Sequence, residues 1–508
     1  MGRPGSRPFV GRRSAIADAR VVLVNTNEIR PPIAPIALDY LAGPVSAAGY
    51  DVQVVDLNLA RDAGAELDAG LGSGAPLLVG LTFRNSDDCF WPSGASFVPR
   101  LGEIVEMVRA RTDAPIVLGG GGFSLFAPAV LQQAGCEFGI RGDGEEALVR
   151  LLGALQGKES FEDVPGLVRR VGEGDGARCE TNPPRPSVPL RLDTSRSAVD
   201  NRRYFREGGQ IGLETKRGCD RRCIYCADPL IKGTDVRARA PEEVADEAEH
   251  LLAQGIDVLH LCDSEFNIPC EHALAVCGEF AARGLGERLR WYTYAAVTPF
   301  PDELASALRA AGCVGVNFGT DSADEGMLAT YGKLHRREDI VRVVRLCREH
   351  GLRVMIDLLL GGPGETEASV RDTIEFMKGV DPDCVGAALG VRVYPGTPLA
   401  RVVSREGLHG RNANLRWPRG APEGDEELRD VAGLLLRPVF YLSSRLGESP
   451  AEFVRDAIGG DKRFFEPVCE QGEENYNYSQ NVVLTQAIEN GARGAYWDIL
   501  RNLRGAST

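Results

Sequence analysis

Short apolar runs and amphipathic stretches take turns along most of this chain. Val21–Val24 is a β-branched run of the kind buried on both faces of a parallel sheet. A proline-rich loop with Pro31, Pro32 and Pro35 follows, and Ile36 to Ala48 then carries helical spacing up to Gly49. Val52–Val55 reads as a second strand ending in Asp56, Leu77–Phe83 as a third, Ile116–Leu118 as a fourth and Phe138–Arg141 as a fifth, with a helix over Phe97–Arg111. Strands alternating with helices predict a doubly wound parallel sheet over residues 20–160, after a loose tail at 1–20. Residues 161–206 read as a linker, because Pro183, Pro184, Pro186 and Pro189 break any helix and the stretch around Gly172–Gly176 is polar.

The rhythm resumes at 207–405. Strands are predicted at Gln210–Thr215, Val258–Cys262, Trp291–Ala295, Val314–Phe318, Val354–Leu360 and Gly386–Val391. Helices fall at Glu242–Ala253, Asp302–Ala311 and Glu338–His350. Six βα units suggest a partial barrel whose working face is the carboxyl ends of its strands. Residues 406–508 lose this rhythm and read as a mainly helical region, with a helix over Val482–Leu503.

At 508 residues the chain is long enough for two or three domains. A net charge of -14 without a basic stripe argues against a nucleic-acid partner. No apolar run reaches membrane-spanning length, and the arginines of residues 1–20 flank no apolar segment, so neither a membrane anchor nor a secretory signal is expected. Thirteen scattered cysteines make no disulfide framework and point to a reducing cytoplasm.

Three of those cysteines stand apart. Cys219, Cys223 and Cys226 are spaced C-x3-C-x2-C on a loop just past a predicted strand end, after Gly218. Three clustered thiolates favour a soft metal. They are one ligand short of a closed iron–sulfur or structural zinc site. A zinc knuckle needs a fourth ligand nearby, and Ala227–Gly233 contains neither Cys nor His. The stretch resembles the signature of the radical S-adenosylmethionine (SAM) enzymes, down to the aromatic Tyr225 before the third cysteine. The resemblance implies a 4Fe-4S cluster on the three cysteines, with an open iron for SAM.

The first domain carries its own resemblance. Its strand ends present Asn25, Thr82, the run Arg84-Asn85-Ser86-Asp87-Asp88, the four glycines Gly119 to Gly122, and Gly142-Asp143-Gly144-Glu145. Doubly wound sheets bind ligands beyond such ends. A run of glycines lets a flat ligand lie on bare backbone. The order of these motifs over residues 20–155 is similar to the cobalamin-binding domain fused to many radical SAM enzymes, a Rossmann-like (flavodoxin-like) fold. Many such domains supply an axial histidine from an Asp-x-His-x-x-Gly segment. The histidines here are His250, His260, His272, His335, His350 and His409, none of them in the first domain. Arg84 or Asn85 is expected below the cobalt instead. Arg84 has no lone pair to coordinate.

Further motifs follow the resemblance through the barrel. Asp263-Ser264-Glu265 stands where the family has a Gly-Gly-Glu-like segment, which gives Ser264 and Glu265 the SAM amino group and ribose. Thr320 and Asp321 resemble the ribose-contacting turn, and Arg392 and Tyr394 lie in a segment typical of the cobalamin-dependent branch. In the last region Tyr476, Tyr478 and Cys469 are the candidates for substrate contact.

The resemblance implies a cobalamin-dependent radical SAM methyltransferase with three cofactors: the cluster, SAM and cobalamin. It would methylate an unactivated carbon of a small-molecule or peptide biosynthetic substrate, with an external electron donor of flavodoxin or ferredoxin type. Two alternatives remain at this point. One is ring contraction or cyclisation without methyl transfer. The other is a non-catalytic cobalamin sensor with a structural metal.

Overall fold

The computed structural model describes residues 19–172, 178–408, 412–417, 436–467 and 478–506. The chain divides into two compact units. One comprises the residues up to Glu28, Pro35–Ser86 and Phe97–Val199. The other comprises Ile29–Ala34, Asp87–Ser96 and Asp200–Thr508.

The first unit is built on a seven-stranded sheet of order β2-β1-β3-β4-β5-β6-β7. Its strands are β1 (Arg20–Asn25), β2 (Asp51–Asp56), β3 (Leu78–Thr82), β4 (Ile116–Gly119), β5 (Phe138–Ile140), β6 (Leu167–Val171) and β7 (Arg178–Thr181). The first five run parallel, and β6 and β7 add antiparallel at the edge. The apolar run Val21–Val24 is the centre of the core, with no residue more than 2% exposed. Five helices are threaded between the strands: α1 (Ile36–Ala47), α2 (Ala63–Leu71), α3 (Val98–Arg109), α4 (Gly121–Ala134) and α5 (Glu145–Leu155).

Two details depart from the sequence reading. The glycine run is not all loop, because α4 starts inside it at Gly121. The stretch expected as a linker carries β6 and β7, and Leu167 and Val168 of β6 are buried. Farther on, Arg196 donates to Asp39 of α1 at 2.8 Å, both side chains fully buried, while Leu190 and Leu192 pack on Tyr40. The prolines there stop helices, but they leave room for edge strands and for burial against α1.

The second unit has a seven-stranded sheet, all parallel, whose order follows the chain from one edge to the other. Its strands are β8 (Ile211–Leu213), β11 (Val258–Leu261), β12 (Arg290–Ala295), β13 (Cys313–Asp321), β14 (Arg353–Leu360), β15 (Cys384–Leu389) and β19 (Phe464–Phe465). Between them lie two small sheets. The hairpin is β9 (Lys216–Arg217) with β10 (Arg237–Ala238), and the three-stranded sheet is β16 (Val391–Arg392), β17 (Leu415–Arg416) and β18 (Phe440–Tyr441).

This is a partial barrel with one strand more than the six predicted. The seventh, β19, comes from the region expected to be mainly helical, and it pairs through only two residues. A strand so short leaves no periodic trace. That region also holds helices at Pro450–Ile458, Val482–Glu489 and Tyr496–Ala506; the single helix expected over Val482–Leu503 is broken in two, with Gly491 and Gly494 at positive φ between the halves. The last two contribute Leu484, Ile488, Trp497 and Leu500 to a core with Val258, Tyr292, Met355, Cys384 and Phe465. Among the described residues no helix is long and apolar enough to cross a membrane.

Candidate cofactor sites

At the carboxyl end of the first sheet Asn25 and Thr82 meet, and the loop after β3 packs on the glycine run after β4. Asn25, 1% exposed, donates from Nδ2 to Asp56 Oδ1 at 2.9 Å, and its Oδ1 accepts from Thr82 Oγ1 at 3.4 Å. These two side chains lock β1, β2 and β3 together at their ends. Phe83 N–H donates to Gly119 O at 2.6 Å, and Gly122 N–H donates to Arg84 O at 2.8 Å. The loop after β3 is thus laid directly along the glycine run.

That contact explains two of the four glycines. A Cβ on Gly120, whose φ is +105°, would lie 2.7 Å from Phe83 O. A Cβ on Gly122 would lie 2.7 Å from the Asn85 carbonyl carbon and 2.8 Å from Ser86 N. These positions exclude side chains because protein backbone already fills the space. Gly119 has nothing within 4 Å of its would-be Cβ, so it alone of the three leaves bare backbone for a ligand. Gly142, at φ +80°, donates to Ser124 Oγ at 3.1 Å, and Gly144 abuts Leu41. Glu145 is buried in the first turn of α5. Arg84 is exposed and has no ion-pair partner among the described residues.

Asp87 is placed elsewhere. It lies in the second unit, fully buried, and accepts from Arg392 Nε at 3.1 Å and Nη2 at 2.8 Å. Tyr394 stacks on that guanidinium at 4.8 Å, and its hydroxyl meets Cys89 Sγ at 2.9 Å. Three residues predicted to touch cofactors therefore hold one another.

In the second unit the cysteine loop is fixed by backbone. Gly218 has φ +94°, and a Cβ there would strike Asp235 O. Cys219 N–H donates to Gly233 O at 3.1 Å, Cys226 N–H to Cys223 O at 3.2 Å and Ile224 N–H to Tyr331 O at 3.1 Å. Burial pushes all three thiols up, and at Cys223 the Lys333 ammonium opposes that push. Three thiolates in this pocket need cationic countercharge, which iron supplies. Among the described residues no three His, Cys, Asp or Glu groups converge on one ion position. In a 4Fe-4S cluster each thiolate holds a different iron, so the loop fits the cluster's donor set.

Beside the loop is a network of buried charge. Asp263, 2% exposed, accepts from Thr215 N–H at 2.8 Å, Thr215 Oγ1 at 2.5 Å and Lys216 N–H at 3.2 Å, and pairs with Lys216 Nζ at 3.3 Å. Lys216 Nζ also donates to Glu265 O at 2.6 Å. Tyr225 OH donates to Asp321 Oδ2 at 2.5 Å, and Lys333 Nζ pairs with the same oxygen at 2.8 Å. Ser264 Oγ donates to Asp228 Oδ2 at 2.6 Å. Thr320 is fully buried beside them.

Glu265 stands out because its buried Oε2 has no hydrogen-bond partner among the described residues. Burial pushes its carboxyl up to about 7 against the pull of Lys333. An unpartnered acceptor next to the cluster loop suits the ammonium of SAM. Lys216, Asp228 and Lys333 were missed by sequence reasoning. Lys333 follows the left-handed cap Gly332, a place where a lysine normally reads as solvated, so no sequence signal pointed to it.

Of the substrate candidates, Tyr478 packs its ring 5.8 Å from Tyr496, against the core formed by the C-terminal helices. Tyr476 and Cys469 lie outside the described residues.

The chain matches the B12 binding domain family over residues 22–152 and the Radical SAM superfamily over 213–377. It is 32% identical to the tryptophan 2-C-methyltransferase of Streptomyces laurentii, covering 94% of this chain and 95% of that protein. TsrM from Kitasatospora setae, a radical SAM methyltransferase solved with tryptophan and a SAM analogue bound, superposes with a TM-score of 0.86 at 32% identity, over 96% of this chain and all of that one. A second TsrM structure, holding cobalamin and a [4Fe-4S] cluster, gives a TM-score of 0.84. The cobalamin-dependent radical enzyme OxsB, at 16% identity and a TM-score of 0.65, shares the fold. A B12-binding domain, three cysteines beside a buried acceptor in the radical SAM domain, and likeness over nearly the whole length have one common reading: this chain belongs to the cobalamin-dependent radical SAM methyltransferases, with a 4Fe-4S cluster, SAM and cobalamin as its cofactors.

Proposed function

We propose that the chain methylates a ring carbon of a small indole-bearing substrate, tryptophan or a close analogue. The observation that carries this is the extent of the likeness. It runs over 96% of the chain, through the barrel interior and the C-terminal region as well as the cofactor domains, against a structure that holds tryptophan. The lumen residues Tyr294 and Asn317, above a floor of Tyr292 and Trp497, support it, since a planar heteroaromatic ring needs flat apolar contacts and a few placed polar atoms.

When bound, cobalamin supplies the transferable methyl group, SAM renews it and the cluster adds reducing power. The chain's own task is positioning. Cys219, Cys223 and Cys226 hold the cluster, Glu265 and Ser264 orient SAM, and the β3 loop with Gly119 receives the corrin. The buried pairs Lys216–Asp263 and Lys333–Asp321 keep these loops in place with little water around them. An external flavodoxin- or ferredoxin-type donor would keep the centres reduced.

The test is anaerobic reconstitution followed by incubation with SAM and tryptophan. The expected products are S-adenosylhomocysteine and a singly methylated tryptophan. Methylation of peptides but not of tryptophan would overturn the substrate reading. Release of one 5′-deoxyadenosine per methyl group would move the target from a ring carbon to an unactivated one.

A further inference from the structure

The barrel lumen has an aromatic floor, with Tyr294 and Asn317 one level above it. Trp291 of β12 points outward and meets Phe266 and Phe280 edge-on, at 5.5 and 6.2 Å. Tyr292 and Tyr294 therefore share the inward face. Tyr292 is 4% exposed, edge-on to Trp497 at 5.8 Å, with its hydroxyl donating to Asp498 at 2.8 Å. Tyr294 is 41% exposed, although its neighbours Thr293 and Ala295 are 1% exposed. The lumen is thus packed at the level of Tyr292, whereas one level up Tyr294, its ring 5.0 Å from that of His260, keeps part of its surface exposed.

Asn317 of β13 sits at that second level. It is in register with Tyr294 on one side and Met355 on the other. Gly315, two residues before it on the same face, would put a Cβ 2.9 Å from Trp497 of the floor. Gly319, two residues after it, would put a Cβ 3.8 Å from Glu265 Oε1 and 3.9 Å from Lys333 Nζ. Asn317 therefore lies between the apolar floor and the charged rim. It is 6% exposed, and its Oδ1 has no hydrogen-bond partner among the described residues. A buried amide oxygen left unpaired is costly, and native proteins seldom tolerate one without a reason.

We propose that Asn317 is the substrate-recognition residue of this lumen, its Oδ1 accepting a hydrogen bond from an N–H of the substrate. The proposal rests on the indole reading above and deepens it. It makes the enzyme selective for substrates that bring a donor to this depth, and it sets a penalty on isosteres that lack one. Tryptophan offers two such donors, the ring N–H and the ammonium.

The test is anaerobic calorimetric titration of the holoenzyme, loaded with cluster and cobalamin. Three ligands are compared: tryptophan, 1-methyltryptophan without the ring N–H, and indole-3-propionate without the ammonium. Asn317→Leu keeps the volume and removes the acceptor. It should weaken tryptophan binding about tenfold, the usual effect of leaving one buried donor unpaired. The analogue lacking the bonded donor should bind wild type and variant alike, which identifies the donor. Asn317→Asp keeps an acceptor oxygen and should stay within about threefold of wild type. Iron and cobalamin contents report folding of each variant.

Equal affinity of Asn317→Leu and wild type for tryptophan would overturn the proposal. So would an equal loss for all three ligands, which means a role in shape. Wild type that binds none of the three ligands would sink the substrate reading, and this proposal with it. Wild type that binds them with no dependence on Asn317 sinks this proposal alone.

Discussion

The two sheets solve the same problem with different materials. Both have a parallel core, five strands in the first and all seven in the second, and both gather their binding residues at the carboxyl ends of those strands. The first builds its crevice mostly from backbone, amides and hydroxyls: Gly119 to Gly122, Asn25, Thr82 and the carbonyls of Phe83 and Arg84. The second buries full charges, Lys216 against Asp263 and Lys333 against Asp321, with Glu365 also out of water. A large flat ligand asks for surface and close approach. A charged cluster and a zwitterionic ligand ask for fixed charge in a dry place. The first crevice should therefore be sensitive to volume, and the second to charge and protons.

The largest expected effect tests whether the two sites are separate. Replacing Cys219, Cys223 and Cys226 together with Ala should remove all iron and all SAM consumption, read by metal analysis and product chromatography. Cobalamin uptake should survive. Its loss would mean that the two sites do not form independently.

Charge comes next. Asp263→Ala leaves Lys216 buried without its partner. Breaking a buried pair from one side costs about 3–5 kcal/mol. Urea unfolding of the cofactor-free protein should show that loss, and a value below about 1 kcal/mol, typical of exposed pairs, would make the second site far less charge-dependent than described.

Protons give a slope rather than a step. Glu365 is fully buried, with Oε2 accepting from the N–H groups of Gly361 and Gly362 and Oε1 without a partner among the described residues. Burial pushes its carboxyl up to about 8, against those two backbone hydrogen bonds. The unfolded chain ionises it at the ordinary value near 4.5. Its contribution to stability is therefore whole below that value and fades as pH rises toward 8, by on the order of a few kcal/mol. Glu365→Gln should flatten this part of the stability–pH curve, as followed by thermal unfolding between pH 5 and about 8.5. An unchanged slope would assign it to other groups.

Volume is the corresponding test of the first sheet. Gly122→Ala drives a methyl into the Asn85–Ser86 backbone. Overpacking of about 1–3 kcal/mol corresponds to cobalamin binding weakened by about tenfold or more. Iron content should not change. Gly119→Ala meets no protein atom and should matter only if the corrin lies there. The smallest effect is spectroscopic. With Arg84 or Asn85 below the cobalt, the Co(II) form should show no superhyperfine splitting from an axial nitrogen, and such splitting would refute this placement.

Most of the fold was legible in the sequence because it is written in repeated apolar runs. Val21–Val24 and the run ending at Leu360 have no other use than burial, and the C-x3-C-x2-C spacing is local in the chain. What stayed hidden depends on partners far apart in sequence. Asp87 looked like part of a ligand loop, and its partner Arg392 comes 305 residues later. Lys333 looked solvated until its ion pair with Asp321 buried it. The glycine run was read as a cradle for a ligand, yet Gly120 and Gly122 serve first the packing of their own loop.

The interleaving of the two units also bears on modular engineering. The chain passes from one to the other five times, at 28/29, 34/35, 86/87, 96/97 and 199/200. Asp87–Ser96 is an insertion in the first sheet's sequence, yet it is anchored through Asp87 to Arg392 of the other unit. A single cut near residue 200 would give a fragment carrying ten residues with no Arg392 to pair Asp87, and a remainder in which that buried arginine has lost its carboxylate. Swapping cobalamin modules between such enzymes would thus require transplanting 29–34 and 87–96 along with their barrel, a chimera with several junctions in the gene rather than one.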